Sequence, residues 1–132
     1  MASVEEDLRP VDPPRCLRDD EQELIGQLLA KPFAGRDQAR AQLESARVVA
    51  EGTGDTGTIR FEAPSDAVSR IATALRVPVE AEMTDADGTP IAVLLHVVAG
   101  VAEEVEIYRV DGQPIRRREF TTLRSVVVNG ER

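Results

Sequence analysis

Two short turns in the stretch 77–112 constrain the fold of this chain more than any other feature. Each turn ends in glycine, at Ala86-Asp87-Gly88 and at Val98-Ala99-Gly100, and each separates two segments in which apolar and polar residues alternate. Such alternation is typical of β-strands with one buried face, and a three-residue loop with glycine last is a common hairpin connection. The stretch therefore predicts a three-stranded antiparallel meander.

The turns also fix which residues of neighbouring strands face each other. A three-residue first loop places Asp85 opposite Thr89, and every pair on one side of that hairpin is then apolar, as in Met83 with Ile91. The same loop form at the second turn places Glu103 on the apolar side, where either its side chain reaches out at an edge or the ladder contains a bulge. The predicted apolar pairs are Val77–Val97, Val79–Leu95, Ala81–Val93 and Met83–Ile91 in the first hairpin, and Val97–Val101, Val93–Val105 and Ile91–Ile107 in the second.

The side of the meander that points away from the apolar pairs, called the outer face below, is predicted to be acidic. The stretch 77–112 holds eight acidic residues against one basic residue, Arg109, so its net charge of −7 nearly equals the −8 of the whole chain. Lysine is absent from the three strands, although opposite charges across strands would stabilise the sheet. We therefore interpret the outer face as the candidate binding site. Its predicted binding residues are Glu80, Glu82, Leu94, His96, Glu104, Glu106 and Tyr108.

Three interpretations of the outer face are open on the sequence. A solvated polar face is the default for one side of an antiparallel sheet. The leading functional interpretation is a non-enzymatic docking surface for a basic protein, with Leu94 and Ala92 at an apolar centre, Tyr108 as an anchor and the glutamates as a rim. An immunity- or antitoxin-like role would fit such a surface by analogy alone.

The third interpretation is a metal-dependent or acid–base enzyme that uses Glu80, Glu104 and His96. Glutamates with one histidine can hold a divalent cation, but the sequence contains no spaced metal-ligand motif. We therefore predict no catalytic residue, no metal ligand and no cofactor.

Charge and composition limit the partners of the chain. A net charge of −8 disfavours nucleic acids and anionic membranes, whose binding depends on lysine and arginine. The first residues carry acids and prolines where a signal peptide has a basic start and an apolar middle, and the lone Cys16 cannot form an internal disulfide. We therefore predict a cytoplasmic protein that binds neither nucleic acid nor membrane. The role of Cys16 and the oligomeric state stay open.

A run of three arginines, Arg116 to Arg118, follows the meander. It has two candidate roles, binding a phosphate group or folding back onto the outer face. A solvated turn is the default for so short a run of charge.

Outside the meander, the proline-rich residues 1–14 predict a flexible tail, and residues 15–132 predict a single domain. Acids at Asp19 and Asp20 suit the start of a helix, and further apolar patterns predict two helices and three strands. We therefore predict an α+β fold in which N-terminal helices pack on a mainly antiparallel sheet. The predicted elements besides the meander are helices over 19–31, 36–46 and 65–75 and strands over 47–51, 58–62 and 126–128.

The meander also resembles a known family. The segment 77–115 reads VPVEAEMTDADGTPIAVLLHVVAGVAEEVEIYRVDGQPI, and the upstream segment 15–29 reads RCLRDDEQELIGQLL. Together they resemble a family of small bacterial proteins of unknown function. The resemblance implies no activity, but it marks residues of both turns and of the outer face. Those residues are Glu80, Glu82, Asp87, Gly88, His96, Gly100, Glu104, Glu106, Tyr108, Asp111 and Gly112.

Overall fold

The main element of the protein is a seven-stranded antiparallel sheet. The structure, a computed structural model, describes residues 8–65, 68–117, 120 and 122–130. The strands are β1 (Leu8–Cys16), β2 (Arg47–Gly52), β3 (Ile59–Phe61), β4 (Val79–Thr84), β5 (Pro90–Val98), β6 (Val101–Arg109) and β7 (Ser125–Val128), and the helices are α1 (Asp19–Leu28) and α2 (Arg36–Glu44). The strands lie in the order β1-β2-β3-β6-β5-β4-β7.

The predicted α+β fold, with N-terminal helices packed on the sheet, is wrong because the sheet dominates the described chain. Helices α1 and α2 have only 10 and 9 residues. The third predicted helix, over residues 65–75, does not form in its described part, and residues 66 and 67 lie outside the described residues. Its apolar residues recur at helical spacing, at Val68, Ile71, Ala72 and Leu75, but so short a segment does not offset the cost of helix nucleation without tertiary packing. The fold is mainly β.

The described part of the predicted tail, residues 8–14, lies in the sheet. Residues 8–14 belong to β1, which pairs antiparallel with β2 from Leu8 opposite Gly52 to Cys16 opposite Arg47, with an irregularity between Pro10 and Arg15. Prolines are tolerated there because an edge strand needs hydrogen bonds on one side only. Residues 1–7 lie outside the described part of the chain, and the single domain over 15–132 stays a prediction.

Both predicted N-terminal helices and the strands at 47–51, 58–62 and 126–128 are confirmed within a few residues. Helix α1 begins after Arg18, whose backbone N–H donates to the Glu21 carboxylate at 2.8 Å. The core contains only aliphatic side chains and Phe61 among its buried apolar residues. Its members include Leu24 and Leu28 of α1, Leu43 of α2 and the inward-facing residues of β4, β5 and β6.

The first hairpin of the meander has the predicted register. Ala81 lies opposite Val93 and Met83 opposite Ile91, and the backbone N–H of Asp85 donates to Thr89 at 2.8 Å. The predicted faces follow, because β4 alternates between buried and more exposed residues along its length.

The predicted register of the second hairpin is wrong by two residues along most of its length. The turn holds two residues, Ala99 and Gly100, with φ values of 52° and 77°, and such two-residue turns match the twist of the flanking strands. A bulge then leaves Glu103 without a facing residue between the pairs His96–Glu104 and Val97–Ala102. Of the two alternatives for Glu103, the bulge is the one that occurs. From Glu104 to Arg109 the shift of two residues keeps each side chain on its predicted face, so the outer face survives there. Beyond the bulge the shift is one residue, and Ala102 takes the inward position that was predicted for Val101.

Candidate functional site

The outer face brings the seven predicted binding residues onto neighbouring strands. Glu80 of β4 lies between Leu94 of β5 and Val127 of β7, and Leu94 in turn lies opposite Glu106 of β6. One step along the strands, Glu82 lies opposite Ala92, which faces Tyr108 across the other side. His96 lies directly opposite Glu104, where the predicted register placed them on a diagonal.

Glu104 is buried on this face, with 2% of its side chain exposed. It lies opposite Arg60 of β3, and the guanidinium of Arg60 donates to its Oε1 through Nη2 at 2.8 Å and through Nε at 3.2 Å. Hydrogen bonds of this kind are stronger than those between neutral groups. Glu104 therefore belongs to an internal ion pair and contributes little to the charge that a partner would meet.

His96 links a second arginine to Glu106. The Nε of Arg76 donates to His96 Nδ1 at 3.3 Å, and His96 Nε2 lies 2.7 Å from Glu106 Oε1. Arginine has no acceptor, so Nδ1 must carry the lone pair and Nε2 the proton that is donated to Glu106. His96 therefore bridges the Arg76 guanidinium and the Glu106 carboxylate.

Three of these side chains form the one cluster of potential metal ligands in the described part of the chain. The ligand atoms of His96, Glu104 and Glu106 lie within 4.8 Å of one another. Glu80, the third ligand in the predicted enzyme site, is not a member of this cluster and instead accepts a hydrogen bond from Asn129 Nδ2 at 2.8 Å. The cluster of potential metal ligands therefore contains Glu106 where the predicted enzyme site contained Glu80.

The sequence prediction missed the cations that reach the outer face. Arg60 lies between the buried Ile59 and Phe61, so alternation along β3 predicts that its side chain points to the opposite face. Its contact with Glu104 was not predictable, because it depends on the pairing of β3 with β6. Arg76 precedes β4 in an irregular segment, and no sequence signal indicates its contact. Arginines from outside the meander thus reach its outer face in two ways: Arg60 pairs directly with Glu104, whereas Arg76 donates to His96, which contacts Glu106.

Tyr108 lies in the negative field of this face. Burial raises the pKa of its hydroxyl above the ordinary value of 10.0, and the charges of Glu106 and Glu80 raise it further. The tyrosinate form would add a third negative charge beside these two carboxylates. Tyr108 is therefore a neutral phenol near neutral pH.

A second polar cluster, the aspartate–arginine cluster, lies at the other end of the meander and was not predicted. Arg109 is buried, and its guanidinium donates to Asp85 at 3.0 Å, to Asp87 at 2.9 Å, and to Asp111 at 3.0 and 2.7 Å. The side chain of Thr89 accepts a further bond at 3.0 Å. The sequence signal for this cluster is the Asp-Gly pair at each end of β5–β6, Asp87-Gly88 and Asp111-Gly112. The register error placed Ile107 where Arg109 lies, opposite Ile91.

Asp85 has an unusually complete set of donors. Burial raises the pKa of its carboxyl, but hydrogen bonds from the backbone N–H groups of Arg116 and Ala86 and from the Arg109 guanidinium outweigh burial and bring the pKa to about 2. Every donor belongs to the fold itself, so the cluster has no position left for a substrate. Its role is to join the first turn of the meander to the segment after β6.

The fold and its polar clusters define a small antiparallel β protein whose outer face receives arginines from two sides. The chain belongs to the DUF6984 family, a domain of unknown function whose model matches residues 14–119. The prediction of a family of unknown function is confirmed. No curated protein and no solved structure matches the chain. Among the described residues, no helix is long and apolar enough to cross a membrane.

Proposed function

We propose that this chain is a non-enzymatic interaction module that binds a basic protein through the part of the outer face nearest β7. This part, the docking patch, consists of Glu80, Glu82, Ala92, Leu94, Tyr108 and Val127. The observation that carries the proposal is the state of its two glutamates. Within the described part of the chain, neither Glu80 nor Glu82 has an ion pair with lysine or arginine, whereas Glu104 pairs with Arg60 and Glu106 lies in hydrogen-bond contact with His96.

The apolar members of the docking patch support a protein partner over a small cation. Val127 is 50% exposed, and Ala92, Leu94 and Tyr108 are partly exposed. An apolar centre with a charged rim is the usual anatomy of an interface, and tyrosine is enriched at its strongest contacts. A lysine- or arginine-rich partner would gain both charge complementarity and apolar contact here.

Binding to the face is better supported than addition of a strand to an edge of the sheet. The carbonyl of Val126 in β7 accepts a hydrogen bond from Lys31 Nζ at 2.7 Å, and the other edge, β1, contains Pro10, Pro13 and Pro14. Lysine and proline at edges both hinder pairing with another strand. The patch therefore offers side chains and not backbone hydrogen bonds.

Charge reversal tests the proposal. The double variant Glu80→Lys, Glu82→Lys raises the net charge from −8 to −4, because each substitution changes the charge by two. The matched control is Glu23→Lys, Glu44→Lys, which makes the same change at exposed sites on the helices. Partners captured from cell extract are identified, purified and measured by titration calorimetry at increasing salt concentration. We expect salt-sensitive binding to the wild type and the control, and at least tenfold weaker binding to the patch variant; equal binding to all three would refute the docking patch.

A divalent metal site is the second candidate, favoured by the proximity of His96, Glu104 and Glu106. Arg60 and Arg76 oppose it, since they already donate to Glu104 and His96 and would repel a cation. A thermal-shift series with Zn²⁺, Mn²⁺ and Mg²⁺ decides between the two, because a ligand that binds only the folded state raises the melting temperature. Stabilisation that disappears in Glu106→Gln would establish a metal site and favour the enzyme interpretation.

A further inference from the structure

The arginine run after the meander leads to a polar cavity on another part of the molecule. This cavity of about 170 Å³ lies between the end of β1, the start of α1, the glycine loop 52–58 and the segment 115–120. Such a volume accommodates several water molecules or one small oxyanion. Its charged lining residues are Arg15, Arg18, Glu21, Glu51 and Arg117.

The glycine loop fits tightly around this cavity. A Cβ at Gly52 would lie 2.4 Å from the carbonyl oxygen of Thr56, and a Cβ at Gly57 would lie 2.6 Å from the ring of Phe120. The loop is also held from both sides, by a bond from Gly57 N–H to Ile107 and one from Ile115 N–H to Asp55, each at 3.0 Å. The cavity therefore has a defined shape.

Both carboxylates that line the cavity are already paired. Arg15 donates to both oxygens of the buried Glu21, at 2.9 and 3.1 Å, and to Glu51 at 3.0 Å. Glu51 also accepts a hydrogen bond from a second arginine, with Arg9 Nη2 2.9 Å from Glu51 Oε2. The positive charge of Arg15 is therefore balanced by the two carboxylates of the cavity wall.

The remaining positive charge comes from Arg18 and Arg117. Arg18 shares its charge with Asp20 at 3.1 Å and with Glu21 at 3.5 Å. Arg117 donates through Nε to the Thr84 carbonyl at 2.6 Å, and its two Nη atoms have no carboxylate partner among the described residues. Among the described residues, three arginines and two carboxylates line the cavity, so its wall carries one net positive charge.

We propose that this cavity binds a small oxyanion, either free phosphate or the phosphate or carboxylate group of a small molecule, with Arg117 as the principal contact and Arg18 beside it. Planar guanidinium groups pair with two oxygens of such anions at once. The start of α1 adds the positive end of a helix dipole to the same wall. The arginine run thereby has a role that is separate from the docking patch, and Arg118 lies outside the described residues.

The neighbouring arginines Arg116 and Arg117 give a matched pair of variants. Arg117 lines the cavity, whereas the Arg116 side chain is 64% exposed and lies 3.8 Å from Asp87, away from the cavity. Thermal shifts are measured for wild type, Arg116→Gln and Arg117→Gln with phosphate and with citrate, each against sodium chloride at equal ionic strength. Phosphate tests for recognition of a phosphate group, and citrate tests for recognition of a carboxylate group.

We expect at least one of the two anions to raise the melting temperature of the wild type and of Arg116→Gln by a few degrees beyond chloride. Arg117→Gln should weaken the binding of that anion about tenfold, as measured by calorimetry. A loss of this size is expected when a charge-assisted contact is removed. If Arg117→Gln unfolds, Arg117→Lys and Arg18→Gln take its place and should each weaken binding. Absence of any anion-specific shift in the wild type, or an equal loss in Arg116→Gln, would overturn the proposal.

Discussion

Asp85 and Arg109 form an ion pair inside the protein, with Arg109 Nη1 3.0 Å from Asp85 Oδ2 and side chains that are 0% and 3% exposed. The two residues lie at the ends of β4 and β6, with β5 between them. Asp85 also accepts the backbone N–H groups of Arg116 and Arg117, each at 2.8 Å. One carboxylate thus joins the first turn, the end of β6 and the segment that leads to β7.

The substitution Asp85→Asn should destabilise the protein strongly. The amide keeps the size of the carboxylate but removes its charge, and it brings an NH₂ group against backbone N–H donors. Breaking a buried pair by removing one partner costs about 3–5 kcal/mol. Urea unfolding followed by circular dichroism measures this loss. The control is Asp87→Asn, which changes a side chain that is 30% exposed and also contacts Arg109; a loss in Asp87→Asn as large as that in Asp85→Asn would contradict the central role of Asp85.

The same cluster predicts how stability depends on pH. Bonds from Arg109 and from the Gln113 backbone lower the pKa of Asp111 to about 2, and the pKa of Asp85 is also about 2. Both values lie below the value of about 3.9 for an unfolded aspartate. Because the folded state lowers these pKa values, the two ionised carboxylates stabilise the folded protein above about pH 4. This stabilisation is lost as the pH falls from about 4 to about 2. Urea midpoints across this range should fall more steeply for the wild type than for Asp85→Asn, and parallel curves would show that Asp85 does not titrate as expected.

The two glycine turns of the meander should respond differently to alanine. Gly88 and Gly100 have φ values of +89° and +77°, which favour glycine, but a Cβ at Gly88 meets open space. A Cβ at Gly100 would lie 2.8 Å from Arg70 Cβ and 3.4 Å from the backbone nitrogen of Ile71. We expect Gly88→Ala to cost about 1–2 kcal/mol from backbone strain alone and Gly100→Ala to cost more. Chemical denaturation of both variants measures the difference, and equal losses would mean that the segment around Arg70 yields to the new side chain.

The first hairpin was predictable from sequence because turn and burial agreed. Asp85 opposite Thr89 follows from the loop length, and the apolar pair Met83–Ile91 then follows from alternation. At the second turn the same loop form was assumed, whereas Ala99 adopts a positive φ that is uncommon outside glycine. The misplaced Glu103 was the one local sign that the ladder contains a bulge. The fold class was wrong because β1 is rich in proline and its pairing with β2 is long-range.

The members of the outer face were predictable, but their electrostatic state was not. Alternation alone places Glu80, Glu104 and His96 on one side of the sheet, since that inference needs only local periodicity. Whether a carboxylate is neutralised depends on contacts across the sheet, and Arg60 reaches Glu104 only because β3 pairs with β6. Sequence reasoning therefore overestimated the negative charge of the face, because Arg60 neutralises Glu104.

Tyr108 offers a direct test of the field on the outer face, because it is the only tyrosine and the chain has no tryptophan. Burial, then Glu106 and Glu80, raise the pKa of its hydroxyl above 10.0. A titration of tyrosinate absorbance should give a higher pKa for the folded protein than for the protein in urea. The variant Glu106→Gln should lower the folded value, since it removes one adjacent charge, whereas Glu23→Gln on the exposed surface of α1 should leave it unchanged. An identical titration curve for Glu106→Gln and the wild type would show that burial alone raises the pKa and that the carboxylates of the outer face do not act on Tyr108.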